Sequence, residues 1–254
     1  MNHHEVEVMG TVITFDLFDE RGFLPTVLAA AYAAAARELV RTDEVFSTWK
    51  PDSALSRLRR DEVALADVPQ EITEVLELCR RATQMSAGWF NPWSAPGGVD
   101  PTGLVKGWAA QRALALLNRL GARGAVVNAA GDVCVSGRPH GASEFRVGVV
   151  NPFDTAHLAC VVRVSGGLAT SGDYERGEHL FNPFTGEFTA SGASASVSGP
   201  DLALADALAT ALVVGGRDVL ELIEGIDGYE AFLVERDRTW ASTKDFALAS
   251  EVIL

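Results

Sequence analysis

Apolar and polar positions alternate through EVEVMGTVITFDLFD, residues 5–19, and β-branched residues recur along it. A period of two belongs to a strand with one buried face, so this stretch predicts a strand or hairpin, with Gly10 marking a bulge or a close approach. The pattern changes at residue 25. PTVLAAAYAAAARELVRT, 25–42, is rich in the best helix former and places Pro25 where a missing N–H costs nothing, which predicts a helix. FSTWKPDSALSRLRR, 46–60, reads as a loop followed by a short helix that Ser53 or Asp52 would cap. Helical spacing returns over 69–87 and over 103–120, the second helix ending at Gly121. Between them GWFNPWSAPGGVDPTG, 88–103, has no period; loops of that length inside a compact domain are commonly functional.

Valine-rich runs then predict strands near 124–129, 132–137, 144–150 and 158–165. Residues 167–194 read as a second long polar loop. A strand at 195–199, a helix at 201–214, a short helix at 216–224 and strands near 229–234 and 239–247 complete the chain. Helices and strands come in blocks, without strict alternation. The expected class is therefore α+β, with mixed antiparallel sheets and packed helices, and not a doubly wound sheet. No linker, repeat or low-complexity block interrupts the chain, so one domain is expected over 1–254.

Composition narrows the partners. A hydrophobic share of 48% supports a substantial core, and 34 acidic against 21 basic residues give a net charge of −13. That balance argues against general binding to nucleic-acid backbones, which needs lysine and arginine. An anionic ligand would require local help from a metal, a helix N-terminus or a few placed cations. The three cysteines, Cys79, Cys134 and Cys160, have no metal-like spacing; the last two lie in valine-rich runs and read as core residues. MNHHEVEVMG carries no apolar run after a basic segment, no lipoprotein cysteine is seen, and no apolar stretch has the length of a membrane span. A cytoplasmic protein without a membrane partner is expected.

Four stretches carry candidate chemistry. LADALATAL, 204–212, is apolar except for Asp206 and Thr210, which stand four apart and share one helix face. They have two readings: a cap on a neighbouring element with a hydroxyl bonded back to its own helix, or carboxylate and hydroxyl oxygens for a hard cation such as Mg²⁺. VDPTGLVKGWAAQ, 99–111, opens a helix with Lys106 in its first turns. It suits an anion at the helix N-terminus, or is an ordinary capped helix with a solvent-facing lysine; its spacing is not that of a Walker loop. NAAGDV, 128–133, is a turn between two strands. ATSGDYERGEHLFNPFTGE, 169–187, gathers Ser171, Asp173, Glu175, Arg176 and His179, and histidine is the commonest general acid or base near neutral pH. No G-x-G-x-x-G follows a strand, which weakens a Rossmann reading.

Taken in order, MGT (9–11), FSTWKPDSALSRL (46–58), DPTGLVKGWA (100–109), AAGD (129–132), ATSGDYERG (169–177), HLFNPFTG (179–186) and ADALATAL (205–212) resemble the ApbE family of FAD:protein FMN transferases, in particular its compact actinobacterial-type members. The resemblance covers nearly the whole chain. It implies FAD held in a cleft, Mg²⁺ on the diphosphate, and transfer of FMN through a phosphoester to a serine or threonine of an acceptor flavoprotein or FMN-binding domain with an S/T-G-A-S/T motif, releasing AMP. On this resemblance Asp206 and Thr210, with a backbone carbonyl near Gly103, hold the metal. Lys106, Asp132, Thr170 and Ser171 surround the nucleotide, as do Met9, Ser53 and Asp100. Trp49 stacks on a ring of FAD, and His179 is the catalytic base. The chain departs from the family pattern at Ala130, where a glycine is usual, and at Asn91 and Asn182, where aspartate is common. SGAS, 191–194, resembles the acceptor motif, so self-modification at Ser194 stands beside the plainer reading of a loop entering a strand. Two other functions share the site: an FAD diphosphatase, with water in place of the acceptor, and a non-catalytic FAD-binding protein.

Overall fold

The computed structural model describes residues 2–18, 22–139, 141–172, 180–189 and 191–254. The alternating N-terminal stretch is a hairpin of β1 (Asn2–Val8) and β2 (Thr11–Phe18). Its turn residues, Met9 and Gly10, have φ of 56° and 69°, the left-handed pair whose twist suits a two-residue hairpin. Gly10 is thus a turn residue and marks neither a bulge nor a close approach; a Cβ there would meet nothing within 4 Å. Helix α1 (Pro25–Phe46) runs one turn beyond the predicted end, because Val45 and Phe46 still face the core. Helix α2 (Ala54–Arg59) is capped by Ser53, whose Oγ accepts from the Ser56 amide at 3.0 Å. Helices α3 (Gln70–Met85) and α4 (Thr102–Asn118) follow.

Strands β3 (Gly124–Ala129), β4 (Asp132–Gly137), β5 (Phe145–Val150) and β6 (Leu158–Val164) lie close to their predicted positions. Residues 167–194 do not form one loop. They contain β7 (Gly167–Gly172), β8 (Leu180–Asn182) and β9 (Glu187–Thr189), and β10 (Ser194–Gly199) begins at their end. Strand β7 escapes a hydrophobic reading because helix α5 (Leu202–Gly215) presses on it so closely that only small residues fit. A Cβ on Gly167 would lie 2.9 Å from that of Leu202. Helix α6 (Arg217–Glu224), β11 (Glu230–Val234) and β12 (Trp240–Ser242) finish the chain; β12 is shorter than the predicted 239–247 strand.

One eight-stranded sheet, in the order β1-β2-β3-β4-β7-β10-β11-β12, organises the molecule, and every pairing in it is antiparallel. Alternation along the strands divides its faces. Val127, Cys134, Ala169, Val197 and Leu233 join the helical core, while Val133, Leu168, Phe232 and Val234 pack on the β5–β6 hairpin. Central strands buried on both faces show continuous apolar runs, which is why VVNA and EAFLV lack a period of two. Helix α5 lies in the middle of the helical layer. Eleven of its fourteen residues are buried, including Asp206, so it is apolar nearly all round. Helix α4 crosses it at Gly107, where a Cβ would come 2.6 Å from the Leu202 carbonyl oxygen. Among the described residues no helix is long and apolar enough to cross a membrane.

The cysteines are all buried and free. Burial pushes the Cys79 and Cys134 thiols up to about 12 and Cys160 up to about 11, so none is a thiolate nucleophile near neutral pH. Ser194, in the SGAS stretch, is 2% exposed and hydrogen-bonded into β10 between β7 and β11. A serine this buried favours the plain reading of that stretch over self-modification.

Candidate active site

A cavity of about 690 Å³ opens where the β1–β2 turn, the segment after α1, the 89–96 loop, the first turns of α4 and the end of β7 converge. That is the size class of small-molecule and cofactor sites. Met9, Trp49, Asp100, Gly103, Lys106, Thr170, Ser171, Asp206 and Thr210 all line it. The fold therefore brings together residues separated by up to two hundred positions in the chain.

At the inner wall, α5 presents Asp206 and, one turn on, Thr210. Asp206 is only 3% exposed, yet it borders the cavity. A carboxylate taken that far from water needs compensation. One contact is the Gly107 amide of α4, which reaches Asp206 Oδ2 at 3.4 Å. Gly107 lies inside α4 and not at its end, so this contact ties Asp206 to the crossing helix without capping it. Thr210 Oγ1 stands 3.2 Å from Ser171 Oγ on β7. The α4 backbone comes in from the other side: a Cβ on Gly103 would lie 3.5 Å from Thr210 Oγ1. A carboxylate and a hydroxyl are hard oxygen donors of the kind Mg²⁺ takes. Among the described residues no group of three or more His, Cys, Asp or Glu side chains is gathered for a metal, so any cation here relies on the hydroxyl and the backbone as well.

Beside this wall stands a charged node. Lys106 forms an ion pair with Asp132 Oδ2, and Asp132 Oδ1 accepts from the Thr170 amide at 3.1 Å. The Lys106 side chain is 23% exposed and that of Asp132 is 0%. Lys106 is therefore a held cation at the cavity, not a solvent-facing lysine, and Asp132 orients it from behind the lining. Thr170 Oγ1 is in turn 2.8 Å from Ser196 Oγ. The turn that carries Asp132 keeps Ala130 in the left-handed region at φ 55°, and Asn128 Oδ1 accepts from the Gly131 amide at 2.9 Å. Alanine thus holds the conformation for which glycine is the cheaper residue.

Other expectations meet mixed outcomes. Trp49 is 94% exposed at the mouth, an aromatic surface with nothing packed on it among the described residues. Asp100 caps α4, accepting from the Thr102 amide at 3.1 Å and the Thr102 hydroxyl at 2.6 Å. Ser53 does not reach the cavity. It is 4% exposed, and its hydroxyl caps α2 and donates to the Ser47 carbonyl at 2.7 Å, so it shapes the FSTW segment. Asn91 and Asn182 both serve as turn caps, with Asn91 Oδ1 accepting from the Trp93 amide and Asn182 Oδ1 from the amides of Phe184 and Thr185. Asparagine does this as well as aspartate, which accounts for both departures. His179, with Asp173, Glu175 and Arg176, lies outside the described residues. Gly172 and Leu180, the described residues on either side of that stretch, both line the cavity.

Sequence reasoning missed Asn128, Ser196 and Arg59, whose guanidinium on α2 donates to Pro96, Gly97 and Asp100 of the loop before α4. Asn128 was legible, since an asparagine three residues before a turn glycine is an Asx pattern. The partners of Arg59 and Ser196 lie far along the chain, and nothing local announces them.

Comparison with known proteins places this architecture. The chain aligns with an FAD:protein FMN transferase of Rhodobacter capsulatus at 36% identity over 144 residues, 53% of this chain and 27% of that protein, so the match spans about a quarter of the relative's length. The fold superimposes on the flavin transferase ApbE from Vibrio cholerae with a TM-score of 0.82 at 18% identity, covering 98% of this chain and 97% of that one. It superimposes on the ApbE protein from Thermotoga maritima with a TM-score of 0.81 at 20% identity, covering 96% and 97%. The model of the ApbE family matches residues 9–98 and 94–233, nearly the whole of the region that builds the sheet, the two crossing helices and the cavity, and the chain belongs to the ApbE family.

Proposed function

We propose that this protein is an Mg²⁺-dependent FAD:protein FMN transferase that joins FMN through a phosphoester to a serine or threonine of an acceptor protein and releases AMP. The observation that carries the reading is the convergence, in one cavity, of the buried Asp206 carboxylate, the Thr210 hydroxyl and the α4 backbone with the Lys106–Asp132 pair. The protein has a net charge of −13, and a dinucleotide diphosphate is an unfavourable guest without such a site. Asp206, Thr210 and the carbonyl at Gly103 would hold Mg²⁺, which supplies charge neutralisation for the diphosphate and for the AMP leaving group. Lys106 adds a fixed cation beside the nucleotide, and Asp132 keeps it from swinging into solvent. Trp49 offers an aromatic face to a ring of FAD.

The reaction exchanges the phosphoanhydride bond of the FAD diphosphate for a phosphoester. The acceptor hydroxyl forms a bond to the FMN-side phosphorus, the bond from that phosphorus to the bridging oxygen breaks, and AMP leaves with the electron pair. His179 is assigned the hydroxyl proton, by its place in the family motif. Positioning and electrostatics supply most of the rate in such in-line displacements. The partner is an acceptor flavoprotein or FMN-binding domain with an S/T-G-A-S/T segment, and neither nucleic acid nor membrane is required. Incubation of the protein with FAD and an acceptor domain, with and without Mg²⁺, tests the reading: the acceptor should gain the mass of FMN less one water, with stoichiometric AMP. AMP formed equally without any acceptor would instead indicate a diphosphatase, and FAD bound but left intact beside a competent acceptor a binding protein.

A further inference from the structure

The loop before α4 borders two open spaces. Pro96 and Asp100 border the main cavity, while Gly97 and Asp100 border a neighbouring, shallower depression of about 380 Å³. Pro96, Gly97 and Gly98 are exposed, so core packing does not fix this segment. One side chain reaches it from α2: Arg59 Nε donates to the Gly97 carbonyl at 3.1 Å, Nη2 to the Pro96 carbonyl at 3.0 Å, and Nη1 to Asp100 Oδ2 at 3.2 Å. The Arg59 side chain is 16% exposed; its bond to Asp100 is partly buried, and those to Pro96 and Gly97 lie at the surface. Two glycines let the loop wrap around it. Gly97 and Gly98 have φ of 79° and 102°, and a Cβ on Gly98 would lie 3.3 Å from the Arg59 carbonyl oxygen.

The third bond continues into the site. The carboxylate that Arg59 grips through Oδ2 uses Oδ1 to cap Thr102, the first residue of α4. Gly103 is the next residue, and Lys106 stands one turn further on. We propose that Arg59 is a positioning residue: through Asp100 it fixes the N-terminal turn of α4, and with it Gly103 and Lys106, against the nucleotide substrate. The inference rests on the transferase reading above. A planar guanidinium fork is required, because three acceptors in different directions are engaged at once, and a lysine ammonium of the same charge does not reproduce that geometry.

The test compares wild type with Arg59→Ala, Arg59→Lys and Asp100→Asn, alone and combined, by FAD affinity from flavin fluorescence, by kcat and KM with an acceptor domain, and by thermal melting. Arg59→Ala and Arg59→Lys should each weaken FAD binding and lower kcat at saturating FAD, by roughly ten- to a hundredfold together, as expected for misplacement of a site by about an ångström. The losses from Arg59→Ala and Asp100→Asn should fall well short of additive, since both cut one chain of contacts. A merely structural arginine would lower the melting temperature while leaving kcat and FAD affinity unchanged in the folded protein, and that result overturns the inference. So do fully additive losses. Wild-type protein that binds no FAD refutes the transferase reading and this inference together; wild type that binds FAD while both Arg59 variants match it refutes this inference alone.

Discussion

Gly107→Ala adds one methyl group at the crossing of α4 and α5, and its consequence follows from the local geometry. The new Cβ would lie 2.6 Å from the Leu202 carbonyl oxygen, 2.8 Å from the Leu202 carbonyl carbon and 3.0 Å from the Ala203 Cα. All three are backbone atoms, so no rotamer change relieves the overlap, and the helices must separate by the better part of an ångström. Overpacking of this kind costs about 1–3 kcal/mol, and contact with rigid backbone puts this case near the upper end. Alanine returns about 1 kcal/mol through its higher helix propensity. The net loss is therefore about 2 kcal/mol, or roughly 4–8 °C in melting temperature for a chain of this size. The functional effect should be larger. The same displacement pulls the Gly107 amide away from Asp206, beyond its present 3.4 Å, and carries Gly103 and Lys106 out of register with α5. A shift of that size costs on the order of a hundredfold in rate. The assay is AMP release and acceptor modification below the melting transition, with Gly107→Ser as a bulkier second step that should be worse in both respects. A Gly107→Ala protein that is as stable and as active as wild type, or more stable, would show that the helices are not in the contact described.

Three further expectations concern separate parts of the molecule. Asp132→Asn keeps an acceptor for the Thr170 amide but removes the charge opposite Lys106; since the Asp132 side chain is 0% exposed, the loss should be about 2–3 kcal/mol in denaturant unfolding, with weaker FAD binding by calorimetry. Ala87 holds φ 49° at the end of α3, with its own amide bonded to the Gln84 carbonyl and that of Gly88 to Thr83, a helix terminus that favours glycine. Ala87→Gly should therefore stabilise the protein by about 0.5–1 kcal/mol, and a lower melting temperature would contradict the assignment. Burial raises all three thiols, to about 12 for Cys79 and Cys134 and about 11 for Cys160, so each stays protonated as the pH climbs through 8. A disulfide-exchange reagent at about pH 8, below those raised values, should titrate none in the native protein and all three in denaturant.

Much of the architecture was legible because periodicity and punctuation agreed. The Pro25 helix start, the Ser53 cap and the N-terminal hairpin each follow from local chemistry. The Asp206–Thr210 pair was legible for the same reason, since a spacing of four on an apolar helix can mean only one shared face. What failed was whatever depends on a partner distant in sequence. Strand β7 looked like loop because its Gly167 and Ala169 are small to admit α5, and smallness gives no hydrophobic signal. Gly107 is an unremarkable helix glycine until Leu202 is known to lie against it. Lys106 could not be told from a solvated lysine without Asp132, 26 positions away. Ser53 shows the converse: it belongs to a motif that borders the site, while its hydroxyl bonds within its own turn. Arg59 combines both difficulties, since its three acceptors lie 37 to 41 positions further on.

The account stands on the buried carboxylate of α5 acting as a cation ligand in an FMN-transfer site. Asp206→Asn preserves size and the contact to α4 while removing the charge, so it separates packing from chemistry. With FAD, an S/T-G-A-S/T acceptor domain and a Mg²⁺ titration, wild type should modify the acceptor by one FMN less water and release AMP in equal amount. Asp206→Asn should stay folded and lose at least two orders of magnitude in rate, with its Mg²⁺ requirement shifted to far higher concentration. Acceptor modification by Asp206→Asn at the wild-type rate and the wild-type Mg²⁺ dependence would contradict the account directly.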